Sequence, residues 1–242
     1  MPRIFTTNSK TILSLDFDRF TTCDQICDYC YVGQLEKIYK AYKPKIERNE
    51  QLATENPKQF ALELNAEYRK LRKSKSKLFQ RLDKLPVRIY GSGDFKPHHL
   101  KFLKELDFKF YLISKNLTQR HMTMFIDPLL KLDNLTKIIM SFDNQNMNTY
   151  DNVKEYFGQD KIGFAFTGMA DTFNAIKAEG KYKFTIFFNI SNKRIEQEKS
   201  RLIKEQCPCD SKALAHAKSC SYCNKCWRSS VTKPKDWNYN YV

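Results

Sequence analysis

Short apolar runs alternate with stretches of helical periodicity along most of this chain, beginning near residue 11. Six runs are rich in β-prone residues and predict strands at 11–17, 87–90, 108–113, 137–142, 162–166 and 184–190. The segments between them predict helices at 99–106, 122–132, 150–157, 171–178 and 194–204. This alternation indicates an α/β protein with a parallel sheet and right-handed crossovers. Periodicity alone does not distinguish a partial barrel from a flat, doubly wound sheet.

Residues 33–86 interrupt the alternation as a long, basic helical insertion. Apolar residues recur there at helical intervals and predict two helices, the second starting at Asn56-Pro57, an N-cap residue followed by proline. The insertion is longer than an ordinary crossover, which favours a helical arm or lid. A dense positive run on it is either a solvated helix face or a phosphate-binding ridge. The run consists of Arg69, Lys70, Arg72, Lys73, Lys75 and Lys77.

The net charge of +15 is concentrated in two segments. Residues 36–88 contain 15 Lys and Arg against 7 Asp and Glu, and residues 199–242 contain 9 against 3. Two such segments favour a polyanionic partner such as nucleic acid, because phosphate contacts gain from counterion release. Lysines that only keep the protein soluble are the alternative. The start of the chain does not resemble a signal peptide, and no apolar run reaches about 18 residues. We therefore expect a cytoplasmic protein with no membrane partner.

The eight cysteines fall into two tight groups, which indicates metal ligation in a reducing compartment. In the first group, Cys23, Cys27 and Cys30 follow the first predicted strand at CxxxCxxC spacing. Barrel folds keep their chemistry at this carboxyl end of the strands. Three thiolates hold three corners of a cubane cluster and leave the fourth iron open to substrate. The alternatives are zinc, which usually takes four ligands, and a structural cluster.

These residues resemble the cluster motif of the radical S-adenosylmethionine (SAM) superfamily, including the aromatic Tyr29 directly before the last cysteine. The resemblance implies a 4Fe-4S cluster whose open iron chelates SAM, and whose electron cleaves SAM to give a 5′-deoxyadenosyl radical. It also implies a partial (β/α)6 TIM-like barrel, which we assign to residues 1–205 with the insertion inside it. A one-electron reductant such as a flavodoxin or ferredoxin is then an expected partner.

A glycine-rich turn, Gly91-Ser92-Gly93-Asp94, follows the second predicted strand. Glycines at such a position let the backbone approach a ligand closely. By the same resemblance, this turn contacts the methionine amino group of SAM, and Lys115 contacts its carboxylate. Ser141 and Asp143 are candidates for the ribose hydroxyls. The pair His98-His99 begins a helix beside the turn, and we assign neither as a catalytic acid or base.

The C-terminal extension, residues 206–242, carries the second cysteine group. An auxiliary 4Fe-4S cluster is the interpretation that we favour, and a zinc site is the alternative. The candidate ligands are Cys207, Cys220, Cys223 and Cys226, with Cys209 as an alternative ligand and His216 as a further donor. The segment resembles the cysteine-rich end of small radical SAM proteins of phages and plasmids, in which a Cys-Pro pair precedes CxxCxxCW. That likeness selects Cys207 and leaves Cys209 spare.

Two functions compete on these residues. The first is a radical SAM enzyme that cleaves SAM reductively and abstracts hydrogen from a substrate, with nucleic acid as the candidate substrate and a peptide or small molecule as the alternatives. The second is a non-catalytic, metal-stapled nucleic-acid-binding protein whose cysteines are purely structural. The first cysteine group favours the enzyme, because it offers zinc no obvious fourth partner nearby.

Overall fold

One open sheet of seven strands organises the part of the chain that the computed structural model describes. The described residues are 3–8, 12–24, 32–75, 79, 82, 85–143, 145–167 and 185–187. The strands are β1 Thr6–Asn8, β2 Ile12–Leu15, β3 Val87–Ile89, β4 Phe110–Ser114, β5 Leu135–Phe142, β6 Ile162–Thr167 and β7 Thr185–Phe187. They lie side by side in chain order, with β1 antiparallel to β2 and all strands from β2 to β7 parallel. The six predicted strands are therefore confirmed as a parallel sheet, and β1 is an additional strand.

The helices are α1 Arg19–Thr22, α2 Val32–Ile38, α3 Tyr42–Glu55, α4 Pro57–Arg72, α5 Leu100–Leu103 and α6 Ile126–Leu130. The crossovers also use 3-10 turns at Pro97–His99, Asn116–Thr118, Thr123–Phe125, Met147–Asn152 and Lys154–Tyr156. The α-helix predicted for 150–157 is thus wrong. Asparagine competes with helical hydrogen bonding, and here Asn152 Nδ2 donates to the carbonyl of Thr118 at 3.0 Å. The helices predicted at 171–178 and 194–204 lie outside the described residues.

Three helices, and not the predicted two, form the described part of the insertion. The chain turns after α2, which leaves Ile38 exposed and brings Tyr42 and Ile46 into contact with Val32. A second break falls at Asn56, because a residue before proline is pushed out of the α region. Asn56 precedes Pro57 as predicted, but its side chain makes no capping hydrogen bond. No helix in the described ranges is long and apolar enough to cross a bilayer.

The two faces of the sheet are packed very differently. Alternate strand residues such as Leu15, Leu112 and Met140 join the helices in the main core, where α4 contributes Phe60 and Leu64. The opposite face carries a small cluster of Tyr111, Ile139 and Ala165, with Ile113 against it. The helices therefore cover one face of the sheet, which is what sequential parallel strands with crossovers of one hand produce.

Candidate functional site

Cys23, the first residue of the predicted cluster motif, directly follows helix α1 beyond the carboxyl end of β2. Asp18 caps this helix by accepting a hydrogen bond from the amide of Phe20 at 3.3 Å. The amide of Cys23 closes the helix by donating to the carbonyl of Arg19 at 3.0 Å. Cys23 is half-buried. The other predicted ligands of this cluster, Cys27 and Cys30, lie outside the described residues together with Tyr29.

The buried side chain of Asn116 fixes the residues on both sides of Cys23. Its Nδ2 donates to the carbonyl of Thr22 at 2.7 Å and to the carbonyl of Phe95 at 3.0 Å. Its Oδ1 accepts from the amide of Asp24 at 3.3 Å. One amide group thus joins the start of the cysteine loop to the glycine-rich loop and to the end of β4.

The carboxylate of Asp94 makes a second connection between these loops. It accepts hydrogen bonds from the amides of Phe95 at 2.6 Å, Lys115 at 2.9 Å and Asn116 at 3.1 Å, and from the hydroxyl of Ser114. Burial raises the pKa of Asp94 to about 6, although these donors favour the ionised form. The carboxylate of Asp94 is therefore already hydrogen-bonded to groups of the protein itself. Its predicted contact with SAM stays a prediction, as do those of the neighbouring backbone groups.

Gly91 and Gly93 lie at the closest approach of the glycine-rich loop to the residues of β2 and α1. A Cβ on Gly91 would lie 1.9 Å from Ser14 Oγ and 2.0 Å from Asp16 Oδ1. Gly93 has a φ of +74°, and a Cβ there would lie 2.7 Å from Thr22 Oγ1. Both positions require glycine, the first for space and the second for conformation as well.

The carboxylate of Asp16 is the centre of a buried polar cluster behind the glycine-rich loop. It accepts from the hydroxyls of Thr6 at 2.5 Å and Ser14 at 2.7 Å, and from the amide of Ser92 at 3.2 Å. The hydroxyl of Tyr42, on the insertion helix α3, lies 3.2 Å from Asp16 Oδ2 and 2.9 Å from Ser92 Oγ. The cluster ties the insertion to the loop. The role of Asp16 was not predicted from the sequence, although a carboxylate next to an apolar strand was a usable signal.

Lys115 and Asp143, predicted at the ends of β4 and β5, form an ion pair with each other. Their side chains are only 11% and 3% exposed, respectively. Asp143 Oδ1 also accepts from the amide of Gln145 at 2.9 Å. Ser141 is half-buried two residues earlier and, by strand alternation, on the same face as Asp143. The structure therefore brings these three predicted SAM contacts to one edge of the sheet.

Glu50, His98 and His99, which we call the Glu50 cluster, join the insertion to the turn after the glycine-rich loop. Glu50 Oε1 lies 2.9 Å from His98 Nε2, and Glu50 Oε2 lies 3.0 Å from His99 Nε2. His99 also has the predicted helix-start role, because its Nδ1 accepts from the amide of Lys96 at 3.3 Å. The contact with Glu50 was missed, since the residues are 48 and 49 positions apart.

The six candidate ligands of the C-terminal extension lie outside the described residues. They are Cys207, Cys209, His216, Cys220, Cys223 and Cys226.

A family model described as Gene product 88 (GP88) matches residues 5–229. No curated protein and no solved structure matches the chain. Because the match spans nearly all of the sequence, this chain belongs to the Gene product 88 family.

Proposed function

We propose that this protein is a radical SAM enzyme, with Cys23, Cys27 and Cys30 holding a 4Fe-4S cluster. The observation that carries the proposal is the position of Cys23. Hydrogen bonds with the Asn116 side chain fix Thr22 and Asp24, the two neighbours of Cys23. The amide of Asp94 also donates a hydrogen bond to Thr22 Oγ1 at 2.9 Å. The start of the cysteine loop and the glycine-rich loop are thereby held together beyond the carboxyl ends of neighbouring parallel strands.

The residues at this edge fit an iron–sulfur cluster with bound SAM. Thiolate sulfur is the donor that such clusters take, and three of these donors leave one iron open. With an electron from a flavodoxin or ferredoxin, cluster and SAM supply a 5′-deoxyadenosyl radical that abstracts hydrogen from a substrate. The protein's own part is to bind and orient the cofactor and to keep water away from it.

Lys115 and Asp143 are suited to orienting SAM. An ammonium group pairs with a carboxylate, and a carboxylate accepts hydrogen bonds from ribose hydroxyls. Both side chains are largely shielded from water by the other elements at this edge. Electrostatic interactions made in such shielded places are stronger than at the surface. SAM would thus bind against the existing ion pair, with Ser141 beside it.

We also propose that the parallel sheet curves into a partial (β/α)6 barrel. A doubly wound sheet reverses its strand order at a switch point, whereas strands β1 to β7 follow one another without reversal. The face opposite the main core carries Tyr111 and Ile139, both almost fully buried. Curvature around that face supports their burial, and it places the ends of β4 and β5 at the rim of a central cavity.

For the substrate we propose nucleic acid, bound in part by the basic end of α4. Lys70, Arg72, Lys73 and Lys75 are exposed there. Arg69 lies 3.4 Å from Asp107, and both of these side chains are well exposed. Adjacent exposed cations are the electrostatic footprint of a phosphate-binding surface.

The salt dependence of binding tests the substrate class. We expect the affinity for RNA or DNA to fall steeply with salt, and the variant Lys70→Gln/Lys73→Gln to lower the logarithmic slope by about 1.5. The control variant Lys131→Gln/Lys154→Gln removes two exposed lysines elsewhere and should leave the slope unchanged. Equal slopes for both variants, or the absence of any mobility shift at low salt, would exclude this surface as the binding site.

Anaerobic reconstitution tests the enzyme itself. The protein is loaded with iron and sulfide, mixed with dithionite and SAM, and assayed for 5′-deoxyadenosine by mass spectrometry. We expect the product from the wild-type protein and its loss in Cys27→Ala. A colourless protein that binds zinc, takes up no iron and gives no spectral change with SAM would instead establish the metal-stapled nucleic-acid-binding protein.

A further inference from the structure

We propose that the Glu50 cluster is a binding site for a divalent transition-metal ion, separate from both cysteine groups. Glu50 belongs to α3 of the insertion, whereas His98 and His99 belong to the 3-10 turn Pro97–His99 after the glycine-rich loop. The ligand atoms of the three side chains all lie within 4.8 Å of one another. A bound ion would join these two parts of the fold.

The donor set and its spacing fit such an ion. Two imidazole nitrogens and one carboxylate oxygen suit zinc, iron(II), cobalt or nickel. Metal–ligand bonds of about 2.1 Å place neighbouring ligand atoms about 3.0 Å apart in octahedral coordination and about 3.4 Å apart in tetrahedral coordination. The Glu50 oxygens lie 2.9 Å from His98 Nε2 and 3.0 Å from His99 Nε2. The side chains are thus spaced as adjacent ligands are.

The surroundings of His99 can hold the tautomer that binds metal at Nε2. Histidine ligands usually donate their other ring N–H to an oxygen, and the hydroxyl of Tyr90 lies 3.0 Å from His99 Nδ1. The ring stacks on Phe17 at 4.7 Å between centroids, which fixes its plane. Without a metal, Nδ1 accepts from Lys96 and Nε2–H donates to Glu50. Metal binding at Nε2 therefore moves that proton to Nδ1, which then donates to the hydroxyl of Tyr90, and it breaks the hydrogen bond from the Lys96 amide.

The open side of the site lies at His98, whose side chain is 32% exposed. The hydroxyl of Thr54 is 3.2 Å from His98 Nε2 and marks this side as polar. Water can reach the ion from there and complete its coordination. Because His99 is only six residues from Gly93, the ion would hold α3 against the glycine-rich loop. This role of the ion does not depend on whether that loop binds SAM.

Zinc content tests the proposal on the full chain. Reduced, iron-free protein is saturated with Zn²⁺, desalted and analysed for metal. Wild-type protein should retain one zinc ion more per chain than Glu50→Gln or His98→Gln, because the cysteines are the same in all three. The control His121→Gln changes an exposed histidine and should retain as much zinc as wild type.

Cobalt separates this site from the thiolates. Thiolate ligands give Co²⁺ intense charge-transfer bands, whereas nitrogen and oxygen ligands do not. The wild-type spectrum minus that of His98→Gln should therefore contain only weak ligand-field bands. Equal zinc in wild type and both variants, or thiolate bands in the difference spectrum, overturns the proposal. Metal-free circular dichroism and melting curves of the half-exposed His98→Gln confirm that the variant is folded.

Discussion

Replacement of Gly93 by alanine tests whether the glycine-rich loop needs its close contact with the start of the cysteine loop. The backbone of Gly93 has a φ of +74°, a conformation that side chains disfavour. An added Cβ would lie 2.7 Å from Thr22 Oγ1, 2.8 Å from Phe17 Cβ and 2.9 Å from the carbonyl oxygen of Phe17. Two of these atoms are close to or part of the backbone and cannot rotate away.

Gly93→Ala lowers the stability of the folded protein for two reasons, and a control variant separates them. The left-handed conformation costs about 1–2 kcal/mol for a residue with a side chain, and crowding in a packed site costs about 1–3 kcal/mol more. Gly158 has a φ of +91°, and a Cβ there would have nothing within 4 Å. Gly158→Ala should therefore lower the free energy of unfolding by about 1–2 kcal/mol, and Gly93→Ala by about 2–5 kcal/mol.

Urea unfolding of the metal-free proteins gives both free energies, and iron content after reconstitution gives the consequence for the cluster. Gly93→Ala should bind less iron at the first cysteine group, because Thr22 directly precedes Cys23 and must move. Gly158→Ala should bind as much iron as wild type. Equal destabilisation by the two substitutions, with equal iron content, would refute the packing argument.

Three further substitutions probe the same edge of the sheet. Asn116→Asp cannot donate to the carbonyls of Thr22 and Phe95, so it should cost about 2–3 kcal/mol and reduce iron content. The control Asn134→Asp loses the hydrogen bond from Asn134 Nδ2 to the carbonyl of Leu106 at 2.8 Å and should affect stability alone. Because the pKa of Asp94 is raised, the folded protein keeps a proton that the unfolded chain releases. The free energy of unfolding should therefore fall by up to about 3 kcal/mol as the pH rises from about 4 to about 6. Asp94→Asn should remove that slope in urea unfolding across this range; an unchanged slope contradicts the assignment. Lys115→Met removes the ammonium group that pairs with the buried carboxylate of Asp143 and should cost about 3–5 kcal/mol, much of which Asp143→Leu should restore in the double variant.

Apolar periodicity predicted the parallel strands because their alternate residues enter the core, as Leu13 and Leu15 do in β2. The same signal could not reveal β1, whose three residues Thr6–Asn8 are polar and pair with β2 at the edge of the sheet. It also predicted a helix at 150–157, because hydrophobic spacing does not register how asparagine side chains compete for backbone groups. Periodicity thus locates buried elements and is weak at edges and in polar crossovers.

The candidate site was likewise predicted only in part. Its linear motifs were visible in the sequence, and the glycine-rich loop does lie beside the start of the cysteine loop. Contacts between the insertion and the sheet were not visible, because nothing in a single sequence pairs Glu50 with His98. One signal was available: Glu50 follows Ile46 by four residues on the buried face of α3. A carboxylate on an apolar helix face requires a partner.

Helix α3 contacts the glycine-rich loop closely, so we expect it to act as a brace and not as the lid that the length of the insertion suggests. A lid separates from the protein to admit a ligand. Separation of α3 would break the contacts of Tyr42 with Ser92, of Asn49 with the carbonyl of Asp16, and of the Glu50 cluster. Opening would exchange each of these hydrogen bonds for one with water, at a net cost of about 0.5–1.5 kcal/mol each. Ligands should therefore enter from the ends of β4 and β5, where Lys115 and Asp143 lie.

Amide hydrogen exchange measures this difference directly. If α3 is a brace, its amides should exchange as slowly as those of β4, because both open only when the core opens. Addition of SAM to the reconstituted protein should then slow exchange in the loops after β3 and β4 and leave α3 unchanged. Fast exchange throughout α3 that becomes slow with SAM would identify a closing lid, and it would move the entrance to the side of the insertion.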